Sequence, residues 1–162
     1  MNDSKPIDKI NLKVYDIVSY VETKGHCNIM RFEPGTYSKL SLIRTDSEKT
    51  IIDNISKSNM CSWNTALIIY SSSFGAAQLM GFNLYGPVCK YGKSIFDYCA
   101  SKEDQIDTFN AIIIAMKLSS YSLSDLAAYP ETRHKFAITY NGAPGYADLI
   151  RGALDHFNFI TH

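Results

Sequence analysis

The amino-acid sequence predicts a mostly α protein of α+β type: a single helix-rich domain, residues 1–162, with a small strand element early in the chain. Three observations lead there. Apolar residues recur at spacings of three, four and one in several stretches, the mark of a helix with one buried stripe. Residues 27–37, CNIMRFEPGTY, are instead extended in character. No internal repeat, low-complexity tract or linker divides the chain, whose length suffices for one substantial core.

The first helix is expected from about Pro6 to Glu22, where Ile7, Ile10, Val14, Ile17, Val18 and Val21 form one stripe. Ser4 is its candidate N-cap, Pro6 falls in the first turn, and Gly25 supplies the stop. The extended stretch that follows turns at Pro34-Gly35. Residues 38–57 are mixed and polar and read as irregular or weakly helical. A helix over Trp63–Tyr70 breaks into a serine run. The stretch SSSFGAAQLMGFNLYG, Ser71 to Gly86, has no clean periodicity and on its own reads as a tight turn between helices. Beyond Gly86-Pro87 the pattern is helical. Ser94 opens a short helix, and Ser101 with Asp104 makes a capping-box-like start for a longer one carrying Ile106, Phe109, Ile112, Ile113 and Met116. Two short helices broken at Pro130 follow, the second ending before Gly142. Tyr146, Leu149, Ile150, Ala153, Leu154 and Phe157 form the stripe of the last helix.

Composition narrows the function classes. Sixteen basic and sixteen acidic residues leave no net charge, which argues against a mainly electrostatic binder of nucleic acid or membrane. Cys27, Cys61, Cys89 and Cys99 form no CxxC pair and no zinc spacing with histidine, so they read as reduced, mostly buried thiols and no metal is expected. The N-terminal residues contain no apolar signal-peptide core, and no run reaches the roughly 18 apolar residues of a membrane span. His26, His134, His156 and His162 form no triad or ligand spacing. His26 and Cys27 are neighbours on an extended chain and point to opposite sides, which disfavours a Cys-His peptidase.

Three islands stand out in order: VETKG at 21–25 with RFEP at 31–34, SSSFGAAQLMGFN at 71–83, and YNGAPGYA at 140–147. Together they resemble the N-acetylmuramidase endolysins of bacteriophages, within the lysozyme-like superfamily. The Gly75-Ala76-Ala77-Gln78 core is also similar to that of lytic transglycosylases. The resemblance spans about residues 10 to 157. Phe74 stands where the family typically has tryptophan, Ala76 and Ala77 where it has bulkier residues, and Ala143 is inserted between Gly142 and Pro144.

The resemblance implies a lysozyme-like fold and cleavage of the β-1,4 bond between N-acetylmuramic acid and N-acetylglucosamine, without a cofactor. Glu22 matches the catalytic glutamate. Its expected place in a last helical turn is unfavourable for a carboxylate, because that helix end carries partial negative charge. A tolerated, solvated glutamate is the plain reading, and a general acid that carries its proton is the functional one. Glu33 is the candidate second carboxylate, with pairing to Arg31 as its structural alternative. Ser73 and Gln78 are expected to bind sugar or brace Glu22, and Tyr140, Asn141 and Tyr146 to line the saccharide cleft. The implied partner is the peptidoglycan glycan strand, with virion proteins as further candidates. The protein would be made in the host cytoplasm and reach the wall after holin release or as a virion component. A transglycosylase giving 1,6-anhydro products and a virion structural protein of reduced activity are the alternatives.

Overall fold

A computed structural model describes residues 12–42 and 44–159. Ser4, Pro6, Ile7 and Ile10 lie outside the described residues. The first helix, α1 (Val14–Thr23), starts later than expected, because Lys13 is extended (φ −121°, ψ 163°) and its amide is capped by Asp16 at 2.9 Å. Lys24 (φ 57°) and Gly25 (φ 84°) then turn left-handed, and the Gly25 N–H closes on the Ser19 carbonyl at 3.0 Å. That pairing satisfies a carbonyl the helix end would otherwise orphan.

The extended stretch yields only β1 (Met30–Phe32). Pro34-Gly35 is not a turn but the start of α2 (Pro34–Leu42). Proline suits a first helical position because its fixed φ is already helical and its missing N–H would have no partner there. The Glu33 carbonyl accepts from the amides of Thr36 and Tyr37 at 3.1 and 3.2 Å, closing that first turn.

The polar stretch after it, expected to be irregular or weakly helical, takes the helical alternative and is well formed: α3 (Asp46–Asn59) opens on a full capping box. Thr45 Oγ1 accepts from the Glu48 amide at 3.2 Å, and Glu48 Oε2 accepts from the Thr45 amide at 2.6 Å. Its buried stripe is narrow, with Ile52 and Ile55 fully enclosed. A narrow stripe suffices because α3 packs on α4 (Trp63–Tyr70), the helix expected at those bounds.

Ser71 to Gly86 is a hairpin followed by a short helix, not a plain turn. Strands β2 (Ser72–Phe74) and β3 (Leu79–Met80) join β1 in an antiparallel sheet of order β1-β2-β3. Met30 faces Phe74, Phe32 faces Ser72, and Ser73 faces Met80. Gly75 (φ 76°) and Gln78 (φ 52°) take the left-handed positions of the connecting turn. Two of the three serines tolerate burial because their hydroxyls have partners: Ser72 donates to the Ile68 carbonyl at 2.7 Å and Ser73 to Gln78 Oε1 at 2.8 Å, whereas the Ser71 hydroxyl is buried without one. The α5 turn (Gly81–Leu84) begins where Gly81 lies against the α4 backbone.

The remaining helices follow their caps. Ser94 opens α6 (Ile95–Ala100), Ser101 opens α7 (Lys102–Ala115), and Ser122 opens α8 (Leu123–Ala128). Pro130 separates α8 from α9 (Pro130–Tyr140), and Tyr146 begins α10 (Tyr146–His156). Ten helices and one small sheet among the described residues make the fold mostly α. Ile17 and Val18, Phe109, Phe136, and Ile150 and Leu154 are fully buried contributions from α1, α7, α9 and α10. Here α1 packs on α7 and α10, and α9 on α10, so the end of α1 meets the start of α10. No described helix is long and apolar enough to cross a membrane.

Candidate active site

Glu22 sits half-buried in the last turn of α1, as expected. Tyr146, the first residue of α10, donates its hydroxyl to Glu22 Oε1 at 2.7 Å. Burial first, then the nearby Tyr140 and Glu22, holds this phenol far above its ordinary range, so it stays a donor. Tyr146 is therefore both a core contact of the last helix, 4% exposed, and a partner of the carboxylate.

Tyr140 closes α9 beside it. Its ring lies 5.9 Å from Phe136 and 6.0 Å from Tyr146 between centroids, and its hydroxyl donates to the Ala77 carbonyl at 3.4 Å. Burial, reinforced by the Glu22 charge, raises this phenol too. Thr23, next to Glu22, donates to the Ala76 carbonyl at 2.9 Å. The hairpin turn 75–78 is thus tied to the ends of both α1 and α9.

Within that turn Ser73 and Gln78 brace each other. Gln78 accepts from Ser73 at 2.8 Å and donates to the carbonyls of Gly75 at 2.9 Å and Ile29 at 3.3 Å. Gln78 is half-buried, whereas Ser73 is 1% exposed. Phe74, Ala76 and Ala77, the positions that depart from the family pattern, are all buried in the core.

Two expected residues are engaged elsewhere. Glu33 Oε1 accepts from Arg31 Nε at 2.7 Å in a largely exposed ion pair. Asn141 is exposed at the C-cap of α9, where its Oδ1 accepts from the Ala143 amide at 3.3 Å. His26 is exposed and Cys27 half-buried, and all four cysteines are free and half-buried rather than deeply enclosed. Among the described residues no three His, Cys, Asp or Glu side chains gather as a metal centre.

Gln105 was not foreseen. It is 1% exposed on α7, and its Oε1 accepts from the Ala76 amide at 2.9 Å. Its Nε2 donates to the carbonyls of Cys27 at 3.1 Å and Tyr98 at 3.0 Å. One amide group therefore joins the loop after α1, the hairpin turn and the end of α6. A Cβ on Gly75 would come within 2.6 Å of Gln105 Oε1, so glycine there leaves the room this amide needs. Replacing Gln105 with leucine strands the buried Ala76 N–H, at a cost of about 1–3 kcal/mol, and takes a donor from the Cys27 and Tyr98 carbonyls, the second of which keeps the Ser101 amide at 3.2 Å. Gln105→Leu is expected to lower thermal stability and activity together, whereas Gln105→Glu should retain the bond from Ala76; melting curves and lysis assays on both variants check this.

Comparison with known proteins defines the class: the chain is a member of the bacteriophage endolysin family. It is 39% identical over 144 residues to the endolysin of Enterobacteria phage PRD1, an alignment covering 89% of this chain and 95% of that protein. No family model matches the chain, and no solved structure matches it.

Proposed function

We propose that this endolysin degrades peptidoglycan as a muramidase, cutting between N-acetylmuramic acid and N-acetylglucosamine with Glu22 as general acid. The observation that carries this reading is the Tyr146 hydroxyl on Glu22 Oε1 at 2.7 Å, at a helix end tied to the hairpin turn. Glycoside cleavage requires a protonated carboxyl at the leaving oxygen. With Oε1 held by Tyr146, the carboxyl is fixed in orientation and Oε2 is the atom from which a proton would pass to that oxygen. The turn 75–78, braced by Ser73, Gln78 and Gln105, backs the end of α1 that carries Glu22, and Gln78 is its residue open to the sugar.

Glu33 is paired with Arg31, which favours a mechanism with one carboxylate. A water positioned beside the anomeric carbon then completes hydrolysis, and attack by the muramic C6 hydroxyl is the second reading. Mass spectrometry of peptidoglycan digests separates them. Reducing N-acetylmuramic ends support the muramidase. Anhydro ends move the assignment to a transglycosylase, and intact glycan strands with cut peptides or no cleavage at all overturn both.

A further inference from the structure

A cavity of about 590 Å³ lies between α3 and the segment 85–92, and it shares no lining residue with the Glu22 site. Helix α3 contributes Ser47, Thr50, Asn54 and Lys57, and the segment contributes Lys90 and Tyr91. Two ammonium groups line it and no carboxylate does. Among the described residues neither Lys57 nor Lys90 has an ion pair, while the nearby Lys93 is bound to Asp104 at 2.9 Å.

Lys90 is fixed by its backbone, with a left-handed φ of 48° like those of Lys24 and Lys117. Two backbone bonds impose it, from the Lys90 amide to the Gly86 carbonyl at 2.9 Å and from the Tyr91 amide to the Leu84 carbonyl at 2.8 Å.

Length adds a second constraint. Ser47 and Lys57 are ten residues apart on one helix, which is about 15 Å at 1.5 Å per residue. An extended peptide of four or five residues spans about 13–18 Å. We propose that this groove binds the short, carboxylate-bearing stem peptide attached to the glycan strand, with Lys57 and Lys90 pairing to its carboxylates. The assignment rests on peptidoglycan being the substrate, as proposed above. The groove would grip the peptide while the separate Glu22 site acts on the sugar.

The test titrates a synthetic stem tetrapeptide with free carboxylates, and the same peptide fully amidated, into the whole protein by calorimetry. The free peptide is expected to bind the wild type, and to bind K57Q/K90Q about three- to tenfold more weakly, as exposed ion pairs dictate. The amidated peptide should bind as weakly to both proteins, and K57R/K90R should bind the free peptide like the wild type. In parallel, K57Q/K90Q should cut peptide-bearing glycan more slowly and peptide-stripped glycan at the wild-type rate. No binding of the free peptide, or equal binding of both peptides, overturns the proposal. If the wild type cuts neither glycan yet binds the peptide through its lysines, the muramidase reading falls and the groove assignment stands.

Discussion

Glu22→Gln is expected to slow glycan cleavage by about 10²–10⁴-fold, the usual contribution of a positioned general acid, while the melting temperature stays near that of the wild type. The amide is nearly isosteric with the carboxyl, and its oxygen still accepts from the Tyr146 hydroxyl. What it lacks is a transferable proton. Tyr146→Phe is the companion variant, because it keeps the ring in the core and removes only the 2.7 Å bond. Its loss should be smaller, since the carboxyl remains in place but no longer has a fixed orientation. Turbidity assays on peptidoglycan, with circular dichroism as the folding control, measure both. A Glu22→Gln protein that keeps more than about a tenth of wild-type activity would remove this residue from the general-acid role.

Gly81→Ala should be the most damaging single-atom change to stability. A Cβ at this position would overlap the Ile69 carbonyl oxygen and approach the Tyr70 Cα at 3.2 Å. Both are backbone atoms of α4 or its last residue, so no side chain can rotate to make room. Either β3 and α5 move away from α4 or the end of α4 unwinds. Overpacking a core typically costs about 1–3 kcal/mol, and a backbone clash belongs at the upper end. At roughly 2–4 °C per kcal/mol for a domain of this size, the melting temperature should fall by about 6–12 °C. Gly92→Ala is the contrast, because a Cβ there meets nothing within 4 Å. Equal melting temperatures for the two variants would show that the close approach of α4 and α5 does not hold.

Helices announced by side-chain caps were legible from sequence: α6, α7 and the break at Pro130 fall where serine, aspartate and proline place them, and α4 lies at the bounds expected for it. Helices α2 and α3 were not, for two different reasons. Pro34-Gly35 carries the chemistry of a turn, and only the Glu33 carbonyl's bonds reveal a helix start. In α3 two isoleucines supply the fully buried face of a mostly polar segment, too thin a pattern to separate from a solvated loop. The hairpin escaped because buried serines replace alternating apolar residues.

At the site, the place of Glu22 was readable from Gly25, which ends its helix. The pairing with Tyr146 was not, since nothing local links residues 124 positions apart. Gln105 had a signal that went unread. It shares one helical face with Phe109, Ile112 and Ile113, and a glutamine on an apolar stripe asks for buried partners as Gln78 does among its apolar neighbours.

The 124 positions between Glu22 and Tyr146 also make their bond a report on tertiary packing: it exists only where α1 and α10 are docked against each other. A molecule in which α10 has come away keeps the glutamate on its helix and loses the hydroxyl bonded to it.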